Sequence, residues 1–108
     1  MSHYAAYLKE REGKSIIEID EGFIVYKLLG EECYIAEAYI VPSKRREHIC
    51  SDLERQVELE AKKAGCKWLT CSVWMKDPGA SRNMQGILNT GYKFVHQEGD
   101  SLYFARSI

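Results

Sequence analysis

Tyr39-Ile40-Val41-Pro42-Ser43-Lys44-Arg45-Arg46-Glu47-His48-Ile49-Cys50-Ser51-Asp52-Leu53 is where the chain changes its hydrophobic period. The run leading into it, Cys33-Tyr34-Ile35-Ala36-Glu37-Ala38-Tyr39-Ile40-Val41, reads as a strand. Pro42 ends it, because proline has no N–H to give a sheet ladder. Beyond the proline, from Arg46 to Ala64, the residues Ile49, Leu53, Val57, Ala61 and Ala64 recur at three- and four-residue spacing. That spacing predicts one amphipathic helix with Cys50 at the edge of its stripe and Leu59 off it. Lys62 and Lys63 suit the negative end of the helix dipole, and Gly65 supplies the stop.

Outward from this junction the elements are shorter. Ser15–Asp20 and Phe23–Leu29 read as strands joined by Glu21-Gly22, and Gly30-Glu31-Glu32 leads into the third strand. Together they form an antiparallel meander. Before them, Tyr4 to Arg11 predicts a short helix with Tyr4, Tyr7, Leu8 and Arg11 on one face and Gly13 as its stop. After the long helix, Cys66–Trp74 is a fourth strand, apolar on both alternate faces, hence expected to be central and covered on each side. This reading sends Cys66 and Cys71 to opposite faces. Asp77-Pro78-Gly79 is a loop, and Ser81–Asn89 is a short helix with Met84, Ile87 and Leu88 inward and Gly91 past its end. Tyr92–His96 and Ser101–Arg106 flank Gly99-Asp100 as a hairpin. The order of meander, helix, strand, helix and hairpin predicts one α+β domain over residues 1–108. Its sheet is mixed but mostly antiparallel, with one long helix and one or two short ones.

Composition narrows the classes of partner. The 108 residues are 45% hydrophobic and include 7 Tyr, 3 Phe and 2 Trp, which excludes disorder as the default. Fifteen Lys+Arg against sixteen Asp+Glu give a net charge of −1, so no nucleic acid partner is expected. No apolar run approaches the roughly 18–20 residues that span a bilayer, so no membrane partner is expected either. The first residues carry no basic stretch followed by an apolar one, and no signal peptide is read. The four cysteines, Cys33, Cys50, Cys66 and Cys71, form no C-x-x-C pair and read as reduced thiols of a cytoplasmic protein. Together with His3, His48 and His96 they match no metal-ligand spacing, so no metal site is expected.

Lys44-Arg45-Arg46 lies at the start of the long helix, where the dipole favours acidic residues. A helix N-terminus with free backbone N–H groups and nearby cations is a phosphate site. The triplet also reads as a solvated basic patch balanced by Glu47, Asp52 and Glu54.

The opening run resembles the acetyl-coenzyme A signature of the GCN5-related N-acetyltransferase (GNAT) superfamily. That signature is a strand ending in V-x-P or V-P, followed by an Arg/Gln-x-x-Gly-x-Gly/Ala loop that opens a long helix. Downstream, Glu60-Ala61-Lys62-Lys63-Ala64-Gly65-Cys66-Lys67-Trp68-Leu69-Thr70 resembles the family's helix-to-strand passage. Asn83, with Asn89-Thr90-Gly91-Tyr92-Lys93-Phe94 after it, resembles its closing N…GY-K segment. The likeness covers residues 15 to 106 and keeps the element order read from periodicity. It implies a GNAT-like fold and an acetyl-CoA-dependent N-acetyltransferase acting on an amine of a small molecule or protein. The alternative is a non-catalytic protein of the same fold that binds a partner protein or an anionic ligand.

Carried over residue by residue, the resemblance implies that acetyl-CoA is the cosubstrate and that Arg45, Arg46, Glu47, His48, Ile49 and Cys50 cradle its pyrophosphate. Arg45 takes the place of the leading Arg/Gln. The pantetheine arm would follow the strand end at Ile40 and Val41, where this strand parts from the next, and Asn83 would face its lower part. Glu37, four residues before Val41 on the same strand face, matches the general base and also reads as a solvent-facing carboxylate. Three departures stand beside the match. His48 and Cys50 occupy the glycine positions, which implies weakened cofactor binding, because a Cβ hinders close backbone approach; a protonated imidazole would return part of the attraction. Ile87 stands where the family's thiolate-protonating tyrosine falls, and Tyr39 and Tyr92 read as core aromatics. The acceptor side is short, which implies a large external substrate, a pocket completed by a second chain, or no catalysis. Cys50 at a helix N-terminus also reads as a stabilised thiolate. Exposed strand edges in so small a sheet make a homodimer a further expectation.

Overall fold

The period change at Pro42 is a change of element. In the computed structural model, which describes residues 2–45 and 47–108, strand β3 (Glu32–Ile40) ends just before a single 3-10 turn, Pro42–Lys44. Helix α2 (Ile49–Lys63) then begins three residues later than its periodicity predicts. Arg46, the expected helix start and a candidate phosphate ligand, lies outside the described residues.

The remaining elements are α1 (His3–Glu12), β1 (Ser15–Ile19), β2 (Gly22–Leu29), β4 (Trp68–Trp74), α3 (Ala80–Asn89), β5 (Lys93–Glu98) and β6 (Ser101–Ser107). The strands form one sheet in the order β1-β2-β3-β4-β6-β5. Every neighbouring pair is antiparallel except β3 and β4, so the α+β class and the mixed sheet are as the sequence predicts. None of the helices in the described residues is long and apolar enough to cross a membrane.

α2 and α3 cover one face of the sheet. Leu53, Val57 and Ala61 of α2 pack with Ile24, Tyr26, Cys33, Leu69, Cys71 and Phe104 in a single core, and Met84 and Ile87 of α3 lie against it. Leu59 is exposed, as its place off the stripe predicts, but so is Ala64, because the helix stops before it. Leu88 also stays outside the core; the inward face of α3 is set by Ala80, Met84 and Ile87.

α1 takes the opposite face and packs on β1. It buries Ala5 and Leu8, while Tyr4 and Tyr7 of the expected inward face are largely exposed. The Tyr4 ring meets Phe23 edge-on at 6.1 Å, which places α1 over the side of β2 that also carries Val25. Ser2 caps the helix by accepting from Ala5 N–H at 3.0 Å, and Gly13 ends it with φ +66°.

β4 is central, as expected, but only one of its faces is covered. Leu69, Cys71 and Val73 are buried under α2 and α3, whereas Trp68 and Trp74 are exposed and Thr70 and Ser72 half-buried on the other side. Trp68 and Trp74 supplied the apolar character of that second face, and α1 lies too far toward β1 to roof it. Cys66 precedes β4 rather than belonging to it; its buried Sγ donates to Gly30 O at 3.4 Å, so the strand alternation does not apply to it. All four cysteines are free thiols.

Candidate functional site

The sheet is incomplete between its two parallel strands. β3 and β4 share a ladder only from Glu32↔Trp68 to Tyr34↔Thr70. Tyr34 and Ser72 then tie the strands once more through their hydroxyls, 2.7 Å apart, at the apex of the gap. On the other edge of β3, Val25 pairs with Glu37 but Tyr26 pairs with Ile35, leaving Ala36 as the extra residue of a β-bulge. A bulge bends and twists its strand, and from Ile35 onward β3 runs free of β4. The strands therefore open like a V toward the start of α2.

A cleft of about 660 Å³ fills this V. Ile35 to Ala38 of β3 and Cys71 to Val73 of β4 form its walls, Cys50, Ser51 and Glu54 of α2 one rim, and Asn83 and Ile87 of α3 the other. A second hollow of about 440 Å³, bounded by Ile40, Lys44, Arg45, His48 and Ile49, shares Cys50 and Ser51 with the first. The two hollows thus meet at the N-terminus of α2.

That N-terminus is open. His48 is its cap residue, and no side chain caps it. Asp52 N–H bonds His48 O at 3.1 Å, and the preceding N–H groups of Ile49, Cys50 and Ser51 are among those a helix start leaves without intrahelical partners. His48 has φ +62°, and among the described residues it is alone among non-glycines in the left-handed region. This is the conformation for which glycine is the default residue. His48 thus holds a backbone shape that glycine adopts more readily.

Arg45 is fixed beside the opening. Its Nε donates to Ile40 O at 2.9 Å and its guanidinium lies 5.7 Å from the centre of the Tyr39 ring. Tyr39 is therefore a surface aromatic rather than a core one. Lys44 adds a second cation at the hollow, whereas Glu47 is exposed and lines neither hollow. Val41 binds back into the meander, its N–H donating to Glu21 O at 2.8 Å. The acidic first turn of α2 consists of Asp52 alone, which pairs with Arg55 at 3.6 Å and leaves the opening to the cations.

Glu37 sits at the bulge, exposed, and accepts from the Tyr4 hydroxyl at 3.3 Å. It belongs to the face of β3 that looks toward α1, while bordering the cleft. Ile87 occupies the α3 wall and offers no proton. Cys50 is exposed, yet the packing around its sulfur and then the nearby Glu54 carboxylate raise its thiol above the ordinary range, the opposite of the lowering that stabilises a thiolate.

Three residues not singled out as site candidates from the sequence lock the far side of the cleft. The Glu54 carboxylate accepts from the Tyr92 hydroxyl at 2.7 Å and from Arg106 Nη2 at 3.0 Å. Arg106 also donates from Nη1 to Glu58 at 2.9 Å and lies 5.2 Å from the centre of the Tyr92 ring. Tyr92 is buried, as predicted, and burial followed by the Glu54 charge pushes its phenol far above its ordinary value. The one signal available in the sequence is spacing: Cys50, Glu54 and Glu58 stand four apart and share a helix face.

No protein-family model and no curated protein sequence matches the chain. Solved structures do. A PaiA N-acetyltransferase from Thermoplasma acidophilum, in complex with coenzyme A, superposes with a TM-score of 0.76 over 94% of this chain and 66% of its own, at 18% identity. The fold is that of the GCN5-related N-acetyltransferases. A GNAT-family acetyltransferase from Staphylococcus aureus Mu50 gives a TM-score of 0.73 at 12% identity over 99% of this chain and 80% of its own. An acetyltransferase from Bacillus cereus gives 0.67 at 15% identity over 88% and 71%. The chain thus spans from about two-thirds to four-fifths of the length of these GNAT-fold structures. Identity at this level carries architecture and not chemistry, which resides in the site.

Proposed function

We propose that the chain is an acetyl-CoA-dependent N-acetyltransferase. The observation that carries this reading is the continuity of the V-shaped cleft with an uncapped, cation-flanked helix start. A thioester on a long flexible arm with a pyrophosphate at its other end is a ligand of that shape and charge. The first-turn N–H groups of Ile49, Cys50 and Ser51 and the side chains of Lys44 and Arg45 would hold the pyrophosphate, as helix starts hold anions. Unpaired main-chain groups of β3 from Ile35 to Ile40 would hold the amide-bearing arm, with Asn83 across the cleft. His48, sharing the backbone shape of glycine, supports a retained loop, while its ring occupies space that glycine leaves open.

The bound thioester supplies an activated acetyl carbonyl. The acceptor, a small-molecule or protein amine, approaches from the α1 side of the sheet, where the bulge presents Glu37. Glu37 takes the proton that the ammonium must shed, directly or through one water, so that the nitrogen lone pair can form the N–C bond as the C–S bond breaks. With isoleucine at position 87, the departing sulfur draws its proton from water rather than from that side chain.

Calorimetric titration with acetyl-CoA tests the reading. Binding by the folded protein is the expected result, and its absence ends the enzyme assignment. Glu37→Gln is expected to keep binding and lose thioester turnover; unchanged turnover removes Glu37 as the base.

A further inference from the structure

The sheet ends at β5, whose six residues are all exposed and which pairs with β6 on one edge only. An unpaired strand edge is a template for another strand. Phe94 and Val95 lie there with 54% and 57% of their surfaces in water. The register shift between Phe94 and His96 decides what the edge fits. Lys93, His96 and Glu98 pair with Ala105, Tyr103 and Ser101, and so share one face; Phe94 and Gln97 pair with Phe104 and Leu102 on the other. In a regular strand Lys93 and Glu98, five residues apart, would face opposite ways. The bulge at Val95 brings them to the same side, one at each end of the strand.

We propose that β5 pairs antiparallel with β5 of a second copy of this chain about a two-fold axis between Val95 and His96. In that register Lys93 of each copy meets Glu98 of the other, and Phe94 meets Gln97. Faces match at these positions, because each pair joins residues from the same side of the strand. A two-fold interface uses the same patch twice and has to be self-complementary; this edge carries a cation at one end and an anion at the other. Among the described residues Lys93 has no carboxylate within ion-pairing distance, and Glu98 has only His96, at 3.8 Å. Six-residue edges lie at the small end of specific interfaces, so association rises with concentration.

Sedimentation velocity over a concentration series tests the assignment. The expected result is a monomer–dimer equilibrium that Lys93→Glu and Glu98→Lys each weaken by on the order of tenfold, since like charges placed opposite each other across strands repel. The double variant carrying both reversals restores the pairing and is expected to recover the dimer. A monomer at every concentration overturns the proposal. A dimer unmoved by the single reversals, or one that the double variant fails to recover while its melting curve stays native, equally overturns it.

Discussion

The Tyr92 hydroxyl donates to Glu54 Oε1 at 2.7 Å, joining the segment after α3 to the second turn of α2 across 38 positions of sequence. The same oxygen receives Arg106 from β6. One carboxylate thus holds three elements around the cleft, and its loss leaves two donors without their acceptor.

Tyr92→Phe removes one bond while keeping the ring, and is expected to cost about 1 kcal/mol in chemical denaturation. Glu54→Ala abandons both donors and is expected to cost about 2–3 kcal/mol, because a partly buried polar group left unsatisfied bears its full desolvation penalty. Equal costs for the two would show that Arg106 contributes nothing through Glu54.

His48 holds φ +62° without glycine's freedom. A left-handed conformation costs an L-residue about 1–2 kcal/mol, so His48→Gly should raise stability by about 1 kcal/mol in the same assay. Acetyl-CoA affinity should also increase, through removal of the ring from the phosphate approach. Weaker binding by the glycine variant would mean that the imidazole contributes charge rather than obstruction.

Gly22 faces Ile40 across the β2–β3 ladder, and a Cβ there would press into the Tyr39 carbonyl. The collision is with backbone and cannot be relieved by a rotamer. Gly22→Ala should destabilise the protein by about 2 kcal/mol or more and displace the strand end that Arg45 grips at Ile40. A neutral substitution would contradict the close approach.

Alkaline pH should unfold the protein through its buried thiols. Burial raises Cys33 and Cys71 from 9.0 to about 12. Between those values the unfolded chain has released protons that the folded chain retains, so stability falls as pH rises, by up to about 1.4 kcal/mol per pH unit per thiol. Tyr92, also raised, adds a loss above pH 10. Replacing Cys33 and Cys71 with Ala should flatten the slope of stability against pH between 9 and 12, whatever the packing cost at neutral pH.

These features differ in how far the sequence discloses them. The change of period across Pro42 is legible because strand and helix impose different spacings on the apolar residues, whereas the basic run precedes the helix start at Ile49 rather than marking it. The bond between Tyr92 and Glu54 is not, since a contact across 38 positions leaves no local pattern. Trp68 and Trp74 are exposed despite their apolar rings, because hydrophobicity records what a side chain is made of, not whether another element roofs it. Glu37 reads from the sequence as a carboxylate on the third strand, yet the bulge at Ala36 that sets its neighbourhood carries no distinctive residue. His48 reads as an ordinary polar residue at a helix start, and only its dihedral angle reveals that the turn there is left-handed.

The three-rung ladder between β3 and β4 leaves the middle of the sheet unclosed. A slender molecule with amide groups, laid in that gap, would act as a surrogate strand and knit the two halves together. Occupancy would then be felt mechanically, as stiffening of both flanking strands. The cleft is lined from both faces of the sheet, so in the proposed reaction the two reactants would enter by opposite doors, one beneath α2 and the other beside α1.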